Sequence, residues 1–325
     1  MSVIHCAITG PLGNVGTSLA FSVASGILFG PETKVILHLL EIPELAQNLR
    51  GLCMELEDCA FSTLIDVQTG TDPYEVFGGI DCAFLVGAKP RGPGMERGDL
   101  LQANGTIFKE QGKALERSAK KSVRVLVVGN PCNTNCLIAL KNAPSIPPDQ
   151  FSALVRLDEN RARALLAKKG NCPVEEVSSV TIWGNHSASQ VPDPSQTTIH
   201  GKPVSSIVES EWIEDEFMPH VRSRGSEIIK VKGRSSASSA AFAAIETMQR
   251  MLGLVPEQTE CSMAVYSHKN SYGIDPNLIF SFPCTTIKNG VEIVRDRRPK
   301  EKIWKEVLLS QQELLEEREA ISHLL

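Results

Sequence analysis

Short, nearly continuous apolar runs alternate with amphipathic stretches through the first half of the chain. Val3–Thr9, Lys34–Leu40, Asp81–Gly87 and Val123–Gly129 are rich in β-branched and aliphatic residues, and each closes at or just before Gly or a polar residue. Such unbroken apolarity suits a strand covered on both faces. Between the first two runs, Leu12, Val15, Leu19, Val23 and Ile27 recur at three- and four-residue intervals, the spacing of one helical face. The alternation predicts a parallel sheet wound by crossover helices.

Beyond about residue 150 the pattern shifts to longer helical periods, Ser-rich turns and one antiparallel strand pair. Helices are predicted over roughly Glu159–Lys169 and from near Ser235 towards Met251, and a strand over Val177–Trp183. An apolar run at Leu278–Phe282 precedes the best hairpin signal, Asn289-Gly290 between Cys284–Ile287 and Val291–Val294. Lys300–Leu325 is rich in Glu and Lys, with Ile303, Val307, Leu308, Leu314 and Leu315 recurring, which predicts a closing surface helix.

The 325 residues are 42% hydrophobic and 22% charged, enough apolar mass for one large domain or two ordinary ones, so dominant disorder is excluded. A net charge of −5, with both signs interspersed, argues against a nucleic-acid binder. No apolar stretch approaches the roughly 18 residues of a membrane helix. Met1-Ser2 leads directly into the first apolar run, so no signal peptide is expected. Nine Cys without a CxxC pair read as reduced, mostly buried thiols of a cytoplasmic protein, and no metal-ligand set is expected.

Gly10-Pro11-Leu12-Gly13-Asn14-Val15-Gly16 follows the first strand and opens the first helix. A tight turn there brings backbone N–H groups and the positive end of the helix against a pyrophosphate. Glu41 ends the second strand, where a carboxylate can accept hydrogen bonds from ribose hydroxyls and repel a 2′-phosphate. Three glycines alone mark a tight turn, and a strand-end acid alone is a solvated charge. Together, in strand–turn–helix–strand–acid order, they favour a dinucleotide site. The expected fold class is therefore α/β, a Rossmann-type doubly wound parallel sheet over residues 1–154 followed by an α+β substrate-binding and catalytic domain over 155–325.

Asp158 and Arg161 lie three apart at the start of a helix and so project from one face. His186 follows a strand at a loop mouth, in Trp183-Gly184-Asn185-His186-Ser187. If Asp158 holds the imidazole by one nitrogen, the other can move a proton off a hydroxyl. Lys89–Arg97, rich in Gly and Pro, presents Arg91 and Arg97, which suits a lid that brings cations down on an anion. Taken singly, each has a plainer explanation: a local ion pair, a structural histidine, a solvated basic loop.

Four segments in order, Pro90–Arg97, Gly129–Asn135, Arg156–Arg161 and Trp183–Ser187, resemble the malate dehydrogenases, specifically their cytosolic branch. The resemblance implies that His186 is the proton donor and acceptor, oriented by Asp158. It implies that Arg161 grips the carboxylate beside the reacting carbon, Arg97 polarises the carbonyl and Arg91 binds the distal carboxylate. Asn130 would hold substrate and nicotinamide in register, Ser239 would stand near both, and Gly10, Gly13, Gly16 and Glu41 would complete the cofactor side.

Val155 stands where cytosolic relatives usually carry Thr, and Ser238 replaces a common Met. Other stretches, Asp72–Phe77 and Val127–Cys132 among them, are similar to the chloroplast NADP-linked enzyme, yet Glu41 stands where that enzyme lacks an acid, and its long regulatory extensions are not in this sequence. The resemblance thus implies NAD as cofactor, malate and oxaloacetate as substrates, no thiol switch and a homodimer. The alternatives are an NADP-preferring enzyme, a lactate or broad 2-hydroxy-acid dehydrogenase set apart by position 91, and a dinucleotide-binding protein without turnover, which would be expected to have lost His186, Asp158 or Arg161.

Overall fold

A computed structural model describes residues 3–89 and 97–325, with Arg97 described by its backbone alone. Its first half runs β1 (Ile4–Thr9), α1 (Asn14–Ala24), β2 (Val35–Leu40), α2 (Leu49–Asp58), β3 (Leu64–Gly70), α3 (Pro73–Val76), β4 (Cys82–Leu85), α4 (Arg97–Ser118), β5 (Arg124–Val127), α5 (Cys132–Lys141) and β6 (Phe151–Ala153). The strands lie in the order β3-β2-β1-β4-β5-β6, each parallel to its neighbour. Consecutive strand residues face opposite sides of a sheet, and Ala7 and Ile8, like Ala83 and Phe84, are wholly buried. Both faces of the central strands are therefore covered, as the apolar runs require. The chain order reverses between β1 and β4, which opens a crevice at their carboxyl ends.

The sequence pattern missed β3 for a physical reason. It is an edge strand whose Ile65 is 55% exposed and whose Asp66 and Gln68 face water, so it lacks a continuous apolar signature.

The second half runs α6 (Arg156–Gly170), β7 (Val177–Ser178), β8 (Thr181–Trp183), β9 (Val191–Asp193), β10 (Thr198–Ile199), β11 (Lys202–Pro203), α7 (Ser210–Trp212), α8 (Met218–Lys232), α9 (Ser238–Met251), β12 (Glu260–Tyr266), β13 (Ile279–Ile287), β14 (Gly290–Ile293) and α10 (Glu301–Ala320). Strands β12, β13 and β14 add antiparallel to β6, so one nine-stranded sheet runs through both halves. The antiparallel part is thus larger than the single pair expected.

Three expectations need correction. Val177–Trp183 is two strands: Ser179 adopts φ 59°, and β7 pairs with β10 whereas β8 pairs with β9. The hairpin turns one residue earlier than expected, because Ile287 pairs with Gly290 and leaves Lys288-Asn289 as the loop. Helix α10 stops at Ala320, and it is more than a surface element: Trp304, Val307, Ser310, Leu314 and Glu317 are buried while Leu308 faces solvent.

Candidate active site

The glycine turn is sterically enforced. Gly10 adopts φ 62°, and a Cβ there would lie 2.7 Å from the Gly87 Cα. At Gly16 a Cβ would lie 2.2 Å from the Gly10 carbonyl oxygen, so helix α1 leaves β1 along this path only with hydrogen at both positions. Gly13 is the N-cap of α1 and supplies no side-chain acceptor to its first turn, which leaves backbone donors for an anion.

A cavity of about 810 Å³ lies against this turn, lined among others by Gly10, Gly13, Glu41, Gly87, Lys89 and Ser235. The Glu41 carboxylate accepts the Ile42 N–H at 3.0 Å and, more weakly, the Leu12 N–H at 3.4 Å, which holds it beside the glycine turn. A cradle that any Cβ would fill, an uncapped helix start and an acid at the end of β2 fit a dinucleotide.

Asn130 follows β5 and is exposed. Its carbonyl accepts from Asn104 Nδ2 at 3.1 Å, and Asn104, wholly buried on α4, also grips the Lys89 peptide, accepting its N–H at 2.7 Å and donating to its carbonyl at 3.2 Å. One amide thus ties Asn130 to a residue that lines the cavity.

Helix α6 presents two charged clusters. Arg156, buried, pairs with Glu159 at 2.5 Å and Glu246 at 3.2 Å, and Glu159 also accepts the Ser262 N–H at 2.6 Å, so this cluster fastens α6 to β12. Asp158 serves the other cluster. Its Oδ2 lies 2.5 Å from His186 Nδ1, and its Oδ1 accepts from Arg161 at 2.9 Å. The Asp158 side chain is 0% exposed, whereas His186 and Arg161 keep 19% and 14%, so a ligand can reach the base and the cation but not the acid that joins them.

The loop after β8 delivers His186. Gly184 turns at φ 93°, where a Cβ would meet Ser310 Oγ at 2.2 Å. The His186 N–H donates to Asn133 Oδ1 at 3.1 Å, and Asn133 Nδ2 donates to the Ile279 carbonyl at 2.9 Å. Burial disfavours the imidazolium, but the Asp158 carboxylate outweighs it and raises the His186 pKa above the ordinary imidazole value. Burial also opposes ionisation of Asp158, yet His186, Arg161 and a hydrogen bond from Gln190 hold its carboxyl below the usual carboxylate range. With Nδ1 engaged, Nε2 is the nitrogen left to exchange a proton.

The cavity and this dyad are linked along the chain. Arg161 donates to Ser236 Oγ at 3.3 Å, and Ser235, the preceding residue, lines the cavity. Ser239 stands exposed in the first turn of α9; the serine that touches Arg161 is Ser236, which sequence reasoning did not single out. Asn133 and Asn104 were also missed. The polar run Asn133-Thr134-Asn135 at the start of α5 was the available signal for Asn133, whereas the pattern offered none for Asn104. Arg91 lies outside the described residues, and Arg97 is placed only as the first residue of α4.

Two family models cover the chain: the NAD binding domain of lactate/malate dehydrogenase over residues 4–152 and its alpha/beta C-terminal domain over residues 155–325. A malate dehydrogenase of Protochlamydia amoebophila (strain UWE25) is 48% identical over 99% of this chain and 98% of its own. A chloroplastic NADP malate dehydrogenase of Flaveria bidentis is 47% identical over 99% of this chain and 72% of its own. Among solved structures, Trichomonas vaginalis lactate dehydrogenase in complex with NADH and oxamate superimposes with a TM-score of 0.94 at 39% identity, over 99% of both chains. The chain belongs to the lactate/malate dehydrogenase family.

Proposed function

We propose that the chain is a malate dehydrogenase that interconverts (S)-malate and oxaloacetate with NAD. The observation that carries this is the buried Asp158 joined to both His186 and Arg161, a proton carrier and a carboxylate-binding cation on one acid. When bound, NAD supplies the hydride acceptor. His186 Nε2 takes the proton of the C2 hydroxyl during oxidation and returns it during reduction, while Asp158 stabilises the imidazolium. The Arg161 guanidinium is a planar fork suited to bidentate pairing with the C1 carboxylate. Arg97 polarises the carbonyl and Arg91 pairs with the distal carboxylate. Asn130 holds substrate and nicotinamide in register, and Ser239 stands near both.

On the cofactor side, Gly10, Gly13 and Gly16 admit the pyrophosphate and Glu41 accepts from the ribose hydroxyls, which disfavours NADP by placing a carboxylate where a 2′-phosphate would go. A lactate-type preference would require a neutral distal group to be acceptable to Arg91. We place the enzyme in the cytoplasm, where its nine cysteines, none in a disulfide, stay reduced. Among the described residues no helix is long and apolar enough to cross a membrane. A homodimer is proposed from the family resemblance.

The direct test is His186→Asn, which keeps the shape and removes the proton carrier. Turnover with NADH and oxaloacetate is expected to fall by about 10² to 10⁴, with NADH affinity retained. Near wild-type turnover would remove His186 from the role.

A further inference from the structure

The loop that carries His186 hangs from one face of the terminal helix. Ser310, Glu313 and Glu317 recur on α10 at helical spacing, and all three bond to residues 185–189. Glu313 Oε2 accepts from Asn185 Nδ2 at 2.9 Å, Ser187 Oγ at 2.5 Å and Ser189 Oγ at 2.5 Å. Ser310 Oγ accepts the Asn185 N–H at 2.9 Å and pairs with Ser189 Oγ at 2.9 Å. Glu317 accepts from Asn185 Nδ2 at 3.3 Å and from Thr134 Oγ1. The same helix is anchored by buried Trp304, Val307 and Leu314.

We infer that Glu313 is a positioning residue: its carboxylate gathers the side chains before and after His186 and so fixes the imidazole against Asp158. One carboxylate oxygen collects donors at positions −1, +1 and +3 relative to His186. The imidazole itself is 19% exposed, so its ring is not clamped on all sides, and its direction follows from the loop. Glu313 acts on no reacting atom. A misplacement of about 1 Å is enough to cost a factor of about 10² in rate, so a loosened loop shows first in the chemical step. This role rests on the proposed proton-carrier function of His186.

The test compares wild type, Glu313→Ala, Glu313→Gln and the double variant Ser187→Ala/Ser189→Ala, which removes two of the donors from the loop side. Exposed Glu316→Ala, about one turn along the same helix, with its carboxylate accepting from Gln312 Nε2, is the control. For Glu313→Ala, kcat for oxaloacetate reduction is expected to fall by about 10- to 100-fold, with the NADH Kd from fluorescence within about twofold. The primary isotope effect with NADH deuterated at the transferred position should rise. Glu313→Gln, which keeps an acceptor oxygen, should recover most of the loss, and the double serine variant should lose rate in the same way.

In the unliganded protein, the NMR titration of the His186 ring should move down towards the ordinary value in Glu313→Ala. Wild-type kcat and an unmoved His186 titration in the Glu313→Ala and double serine variants would overturn the inference, as would equal losses in kcat and NADH affinity. A wild type that titrates as described, shifts with Glu313→Ala and yet turns over no oxaloacetate would overturn the proposed function and leave the positioning of His186 standing.

Discussion

Asp158 decides the chemistry of its neighbours because it is buried and ionised at once. A buried carboxylate is costly unless paired, and here a histidine and an arginine supply the pairing; the carboxylate in turn raises the pKa of His186, against the opposing charge of Arg161. Reduction of oxaloacetate needs the imidazolium and oxidation of malate needs the neutral ring. Because the folded pKa is raised, kcat/KM for reduction should fall as pH rises through a midpoint above the ordinary 6.5, and kcat/KM for oxidation should rise through the same range. Steady-state profiles in both directions check this; a reduction limb that falls below pH 6.5 contradicts it.

In the proposed function Glu41 carries the choice of NAD over NADP. Glu41→Ser removes the charge that would face a 2′-phosphate and should raise the NADPH-to-NADH ratio of kcat/KM by about tenfold or more, a change of about 1.4 kcal/mol. An unchanged ratio would take Glu41 out of the role.

The residues proposed to react could be singled out in the sequence because their types are unusual for their settings: an acid and an arginine on one helical face, a histidine after a strand, glycines at a turn. Their supports could not. Asn104, Asn133, Ser236 and Glu313 act through partners 15 to 126 or more positions away in sequence, and only the folded chain brings them there.

At the scale of elements, the buried parallel strands β1, β2, β4 and β5 were legible because each is a long apolar run, while the three-residue β6, edge strand β3 and the broken segment 177–183 were not. The break at Ser179 turns on a backbone conformation that periodicity does not encode. The glycine turn is the element on which the cofactor cleft depends. Gly16→Ala would place a methyl group 2.2 Å from the Gly10 carbonyl oxygen, too close to be absorbed without moving α1 from β1. Overpacking of this kind costs about 1 to 3 kcal/mol, so urea unfolding should report a loss in that range. NADH binding, measured by fluorescence, should weaken in parallel because the first-turn N–H groups move with the helix. Unchanged affinity in a destabilised variant would separate the turn from cofactor binding.

Across the whole molecule, the sheet is the common frame. β1 and β2 end at the glycine turn and Glu41, while β13, in the same sheet, holds the His186 loop through paired bonds between Gly184 and Ser281 at 3.0 and 3.2 Å. The glycine turn with Glu41 and the His186 loop are thereby set relative to one another by backbone pairing. What this frame does not decide is which oxo acid and which dinucleotide it serves, since lactate and malate dehydrogenases share it. In the proposed function those choices fall to Arg91 and Glu41. The most direct measurement is the wild-type kcat/KM for oxaloacetate and for pyruvate, each with NADH and with NADPH. Oxaloacetate with NADH is expected to be fastest, with pyruvate slower by about 10² or more, because a methyl group would leave the proposed partner of the distal carboxylate without its anion, a loss of roughly 2 to 5 kcal/mol. Pyruvate reduced as efficiently as oxaloacetate, or NADPH used in preference to NADH, would contradict it.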